Sequence, residues 1–386
     1  MHPEMEMLRC FIVRGGTSKG VFIMKNDLPR DAARRDAVIR AIYGSPDLRQ
    51  IDGLGGADVL TSKLAIISPP SRPDADVDYT FGQVSFETEC IDYGGNCGNI
   101  SAAVGPFAID EGLVEPVEPV TTVRIHLTNS NNILVAAVPV KNGKAMVDGD
   151  FAIDGCPGTG ARITLDWSDV CGGITGKLLP TGNPRDSITV DGRTYTVSIV
   201  DAGNPVVFIQ AGELNLKGTE APPALEGSPA LMATIEKIRG QAAVLCGMVD
   251  NPAAAKAVSP YAPFFAIVSP PADYLAYNGK AISAGEVDIV ARLLFMQKVH
   301  KTYPVTGTVA TGAAVRIPGS VAWNVLRAEA QSKVTVHIGH PGGVIPVEAE
   351  SSEAGGQIKV TRLGVYRTAR RIMEGYVYVR KSVYQS

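Results

Sequence analysis

The 386-residue chain carries 36 Lys and Arg against 39 Asp and Glu, a formal net charge of −3, with 45% hydrophobic and 19% charged residues. That balance argues against a nucleic acid or an anionic membrane as partner, and the length suggests two domains at roughly 100–200 residues each. No apolar run approaches the ~20 residues of a membrane span, and the opening Met1-His2-Pro3-Glu4-Met5-Glu6-Met7 lacks the regions of a signal peptide, so a cytoplasmic location is expected.

Short apolar or alternating stretches bounded by Gly, Pro, Asn and Asp predict strands over Cys10–Val13, Val21–Met24, Leu64–Ile67, Val123–Leu127, Ile133–Val140, Thr194–Val200, Val206–Gln210, Val334–Ile338 and Gly375–Val379. Helical spacing predicts helices over Arg30–Tyr43, Pro229–Arg239 and Glu286–Val299. Asn99–Ile109 and Thr311–Ile317 are nearly devoid of charge, as a helix buried on all sides must be. Each follows a Gly-containing entry, Gly94-Gly95-Asn96-Cys97-Gly98 and Thr306-Gly307-Thr308-Val309-Ala310.

An internal repeat follows from this order. Phe11–Phe22 and Ser198–Ile209 both read strand, Gly-containing turn, strand, and each precedes one of the apolar helices. The fold class expected is therefore α+β, with two similar halves, each a set of strands around one central apolar helix.

The six cysteines include no Cys-x-x-Cys pair, as expected of reduced thiols. His337 and His340 have a metal-like spacing but no third ligand nearby, so no metal site is predicted. Gly15-Gly16-Thr17-Ser18-Lys19-Gly20 lacks the Gly-Lys-Ser/Thr order of a phosphate loop, and no cofactor is predicted. Cys97 is the best thiol candidate. At the entrance of a buried helix it feels the helix N-terminus, which favours thiolate, and the amides of Gly98, Asn99 and Ile100 point where a carboxylate could bind. Ser18 and Lys19, with Thr308, Thr311 and Gly312 at the second helix entrance, are further candidates for holding carboxylates. Gln83 and His300 are weaker candidates, and His126, in an alternating strand, reads as structural.

Several long motifs carry a family resemblance: Arg14–Gly20, Gly44–Asp58, Leu60-Thr-Ser-Lys63, Asp76–Thr80, Asn96–Ile100, Val104–Glu111, Val200-Asp-Ala-Gly-Asn-Pro205, Pro318–Ser320, His340-Pro-Gly-Gly343 and Arg367-Thr-Ala-Arg370. Together they resemble the family of methylitaconate Δ-isomerases, 2-methylaconitate isomerases and oxalomesaconate tautomerases, across nearly the whole chain. The resemblance implies a diaminopimelate-epimerase-like fold, with domains at 1–185 plus about 367–386 and at 186–366. It also implies a cofactor-independent allylic proton shift in a small unsaturated polycarboxylate, most like methylitaconate. Lys63, heading an apolar strand, reads on its own as a solvated end residue; the resemblance makes it the acid/base partner of Cys97. Racemases of this fold carry a second thiol at the second helix entrance, a position that falls here at Ala310, so racemase chemistry is disfavoured. A cis–trans isomerase or tautomerase, and a carboxylate-binding protein without catalysis, are the competing readings. A homodimer is the expected assembly.

Overall fold

The computed structural model describes residues 2–354 and 357–385. The first half begins with β1 (Met5–Gly15), β2 (Ser18–Met24), α1 (Ala32–Tyr43), β3 (Lys63–Ser68) and β4 (Val77–Val84). The buried helix α2 (Gly98–Asp110), β5 (Val120–Leu127), β6 (Asn132–Lys141) and β7 (Ile163–Asp166) follow. The second half comprises β8 (Asp186–Val190), β9 (Arg193–Ala202), β10 (Asn204–Gln210), α3 (Pro229–Leu245), β11 (Phe264–Ser269) and β12 (Ile289–Phe295). It continues through α4 (Val305–Ala314), β13 (Thr335–His340), β14 (Gly343–Ala354) and β15 (Gln357–Arg367), and β16 (Ala369–Arg380) ends the sheet.

The two halves are wired alike. From β1 to β6 successive pairings run antiparallel, parallel, antiparallel, parallel, antiparallel. From β9 to β14 the same order recurs. The connection between the parallel strands is a helix in both, α1 between β2 and β3 and α3 between β10 and β11. Both central helices precede the fifth strand of these two runs, β5 and β13. The outer strand beside β9 is β8, whereas the one beside β1 is β16, so the C-terminal segment returns to the beginning of the chain. The antiparallel run β6–β7–β15–β14 joins the halves into one continuous sheet.

Local chemistry explains the main elements. Asp31 caps α1 by accepting from the Arg34 amide, and Gly44 at φ 68° ends it in the left-handed conformation that glycine adopts without Cβ strain. In α2 every residue but Pro106 and Asp110 is buried, and Phe107 packs edge-on to Phe11 of β1. All ten residues of α4 are buried. Each sheet curls around its helix and presents the other face to the outer helix. Thus Phe22 packs with the α2 layer, whereas Val21 and Ile23 pack with Val38 and Ile39 of α1.

Two sequence expectations are corrected. Glu286–Val299 is not a helix; its centre is the strand β12, all seven residues buried, ending in a turn where Met296 and Gln297 adopt positive φ. A strand buried on both faces shows a continuous apolar run, and periodicity cannot separate it from a buried helix. The second central helix spans Val305–Ala314 rather than Thr311–Ile317, with Pro304 as its N-cap. Threonine and glycine disguised it: the Thr308 and Thr311 hydroxyls bond back to the carbonyls four residues earlier, at 3.0 and 2.8 Å. A Cβ on Gly307 would lie 2.5 Å from Leu293 Cδ1, so a larger residue there would have to displace that side chain.

Candidate active site

The two central helices meet start to start. A Cβ on Gly98, the first residue of α2, would lie 2.5 Å from Cγ1 of Val305, the first residue of α4. The entrances are also tied by side chains. Asn204 Oδ1 accepts from the Asn96 amide at 2.8 Å, while its Nδ2 donates to the Asn96 carbonyl at 2.8 Å and to Thr306 Oγ1 at 2.9 Å. The Tyr261 hydroxyl donates to the same Asn96 carbonyl at 2.7 Å. Residues 96 and 306 flank the two helix starts, so one carboxamide fixes both.

Cys97 is the N-cap of α2 and is 5% exposed; its carbonyl is occupied by the Ser101 amide and hydroxyl, which leaves the thiol for other work. Lys63 opens β3 and is 3% exposed. Its carbonyl is held by the Tyr43 hydroxyl, and Gly20 on the neighbouring strand leaves room for it, since a Cβ there would lie 2.5 Å from that oxygen. The Lys63 ammonium lies near enough to Cys97 for the thiol to act on its proton affinity. It also donates to Gln83 Oε1 at 2.9 Å and lies 5.4 and 5.3 Å from the rings of Phe81 and Phe295.

Gln83 is wholly buried and its orientation is fixed, because its Nε2 donates to the carbonyls of Val59 and Ser62. The oxygen must therefore face the lysine. Lys63 thus has a neutral acceptor and aromatic walls but, among the described residues, no carboxylate in contact. Burial lowers its proton affinity below that of an ordinary lysine, and Cys97 opposes this in part. Asp58 is more distant; burial would raise its carboxyl, but the Lys301 ammonium at 2.5 Å and the Leu60 amide hold it below the usual range.

His300 packs against Phe295, its Nδ1 accepting from the Thr302 amide at 3.0 Å. Burial, and then the charge of Lys63, push it down to about 3, so it is neutral at physiological pH. Beside it opens a cavity of about 160 Å³ lined in part by Thr17, Thr302, Tyr303, His340 and Arg367. Thr17 hydrogen-bonds Thr302 at 3.1 Å and Asn99 Nδ2 at 3.1 Å, which connects the cavity to the first turn of α2.

Of the residues singled out from the sequence, Lys63, Cys97, Gly98, Asn99 and Ile100 gather at this junction, as do the weaker candidates Gln83 and His300. Ser18 is buried, with a hydroxyl that has no protein partner among the described residues. Lys19 is adjacent to it in β2 and therefore leaves the sheet on the opposite face, toward α1. Thr308, Thr311 and Gly312 lie inside α4, not at its entrance, and both hydroxyls are engaged with the helix backbone. Ala310 is mid-helix as well; the N-cap of α4 is Pro304, which has no side-chain proton to exchange. His126 is structural: its Nδ1 meets Asp78 at 2.8 Å on β4. Sequence reasoning missed Asn204 and Arg367, which lie within recognised motifs but were given no role there. Among the described residues no group of three or more His, Cys, Asp or Glu could hold a metal ion, and no helix is long and apolar enough to cross a membrane.

Comparison with known proteins identifies the family. The chain is 53% identical to the 3-methylitaconate isomerase of Eubacterium barkeri over 374 residues, covering 97% of each chain. It superposes on the crystal structure of a methylitaconate-delta-isomerase with a TM-score of 0.80 at 52% identity, covering 99% of this chain and 97% of the other. A hydroxyproline epimerase from Agrobacterium vitis matches with a TM-score of 0.58 at 13% identity, covering 98% and 93%, and shares the fold alone. The match to the PrpF protein family spans residues 5–380, so the chain belongs to that family and is an isomerase with an epimerase-like fold.

Proposed function

We propose that the enzyme moves the double bond of a small unsaturated dicarboxylate of the methylitaconate type, with Lys63 and Cys97 exchanging the proton. The observation that carries this reading is the pairing of Lys63 with Cys97, both buried and electrostatically coupled at the start of α2 where the two halves meet. An allylic shift removes a proton from the carbon next to the alkene and returns one to the far alkene carbon. The C–H electron pair becomes the new double bond, and the dienolate formed between the two steps places charge on the conjugated carboxylate.

The lysine suits the first step. Desolvation makes its neutral amine accessible nearer physiological pH, and an amine can take a carbon-bound proton without leaving two like charges in the site. Cys97 stands close enough to share that proton. The N-terminal amides of Gly98, Asn99 and Ile100 are oriented to bind the carboxylate on which charge develops. Neither α4 nor its N-cap Pro304 supplies a cysteine, which argues against the two-thiol chemistry of a racemase. A cytoplasmic setting belongs to the same reading, supported by six cysteines that are all free.

Proton NMR in D2O with methylitaconate, 2-methylaconitate, cis-aconitate and oxalomesaconate tests this. Conversion of methylitaconate with deuterium at the new C–H position is expected. Turnover of only 2-methylaconitate or oxalomesaconate would reassign the substrate, and turnover of none would overturn the reading.

A further inference from the structure

Arg367 ends β15 beside the junction of the halves and is 4% exposed. Its Nε donates to Asn99 Oδ1 at 3.1 Å and its Nη1 to the Tyr366 carbonyl at 2.8 Å. Among the described residues no carboxylate forms an ion pair with it. Burial lowers its proton affinity to about 9, and no acid offsets that effect. A desolvated guanidinium without a counterion weakens the fold, and protein interiors keep such groups paired. This one lines an open cavity instead.

The other polar groups of that cavity are already engaged or act as donors. Asp154 accepts from the Val344 amide at 2.8 Å and faces Lys280 at 3.5 Å. His340 accepts from the Gly342 amide through Nδ1, which leaves its ring proton on Nε2, and burial keeps the ring neutral. Thr17 and Thr302 share one hydrogen bond. The volume, about 160 Å³, is well under the ~300 Å³ at the lower end of drug-sized pockets, so it admits only a small group. Asn99, in the first turn of α2 two residues beyond Cys97, bonds both Arg367 and Thr17 of the cavity lining, so the cavity adjoins the start of that helix.

The geometry points to this cavity as the seat of the substrate's remote carboxylate, with Arg367 as the residue that binds it and so selects diacids over monoacids. This rests on the isomerase reading above. The carboxylate conjugated to the reacting carbons lies at the start of α2; the second extends toward Arg367, whose charge it balances, with the Thr hydroxyls and His340 Nε2 as neighbouring donors.

Titration calorimetry with methylsuccinate, a saturated diacid that cannot be isomerised, and with each of its two monoamides separates the possibilities. For the wild-type enzyme, the monoamide that neutralises the remote carboxylate is expected to bind on the order of 10²-fold more weakly than the diacid. Arg367→Gln should bind the diacid as weakly as that monoamide and lose the preference, with a Tm no lower than wild type because an uncompensated charge has been removed. Arg367→Lys, the variant that decides if the glutamine form does not fold, keeps charge without the planar fork and should lose about tenfold. Retention of the full diacid preference by either folded variant, or its absence in the wild type, would overturn the assignment. Loss of turnover on every acid in the NMR panel, with the Arg367-dependent preference intact, would instead strike the isomerase reading and leave the anion site standing.

Discussion

At matching positions the two halves carry opposite chemistry. In the first, β3 and β4 place Lys63 directly opposite Gln83, and Lys63 is also in register with Gly20 of β2. In the second, Phe264 holds the corresponding register with Val206 of β10. One step beyond the ladder pair Phe265–Leu294, Phe264 and Phe295 meet with ring centroids 5.5 Å apart. The helix entrances differ in the same sense: Cys97 and Gly98 against Pro304 and Val305. The same wiring thus supplies the proposed proton-carrying pair on one side and an apolar wall on the other. The two are joined physically, since the Phe295 ring lies 5.3 Å from Lys63 Nζ. Duplicated backbone geometry does not require duplicated chemistry, and burial between Phe81 of one half and Phe295 of the other lowers the proton affinity of the lysine.

The harshest way to break this proposed division of labour is to remove Lys63 or Cys97. Lys63→Ala should lose turnover on the order of 10²–10⁴-fold, the usual cost of deleting a general acid/base group. Cys97→Ser should also be impaired, because a serine hydroxyl is far less acidic than a thiol. If Lys63 alone removes and returns the proton, Cys97→Ser retains partial activity and some substrate hydrogen reappears in the product in D2O. If both groups take part, solvent deuterium enters almost completely and both variants are severely impaired. Near-normal kcat in Lys63→Ala would move the search to His300, since Lys19 lies on the wrong face of β2.

A milder perturbation acts on the seam. Gly98→Ala would place a methyl 2.5 Å from Val305 Cγ1 and 2.8 Å from Trp167 Cζ2, pushing the helix starts apart. Overpacking of this kind costs roughly 1–3 kcal/mol, and a shift of the thiol relative to the lysine should cost turnover about tenfold or more. Adding Val305→Ala should restore part of both, measured as Tm and kcat. A Gly98→Ala enzyme with unchanged Tm and kcat would show that the two halves are not in contact at this point.

How much of this was legible in the sequence depended on the kind of signal. The apolar helix α2, the paired strand–turn–strand units and the Gly-Gly-Asn-Cys-Gly entrance were readable because each is local. The strand β12 was misread since full burial erases the alternation that marks a strand. The start of α4 was misplaced because its threonines and glycine mimic a loop until the backbone shows where their hydroxyls go. Asn204 and Arg367 left no signal of their own: a lone asparagine after glycine and a lone arginine ending a strand acquire meaning only from partners over 100 residues away. Lys63 was assigned through resemblance alone, and its neutral acceptor depends on strand register.

That neutral acceptor allows the finest test of the comparison, one that changes charge without removing either proton carrier. If the amine form of Lys63 starts the reaction, kcat/KM should rise with pH through the lysine's proton affinity, which burial has lowered. Gln83→Glu puts a carboxylate where Oε1 now lies 2.9 Å from Nζ. An adjacent opposite charge favours the ammonium, by roughly 1–3 pH units in comparable pairs, so the acid limb should move up and activity at neutral pH should fall, returning in alkaline buffer. Gln83→Met removes the acceptor, favours the neutral amine, and should move the limb down, toward the behaviour of the phenylalanine pair in the second half. The sign is the decisive feature, because a variant that merely loosened the site would lower kcat/KM at every pH without displacing the limb. Movement of both limbs in one direction, or of neither, would mean that another group sets the pH dependence, and Gln83 would then be only a support for the Val59 and Ser62 carbonyls.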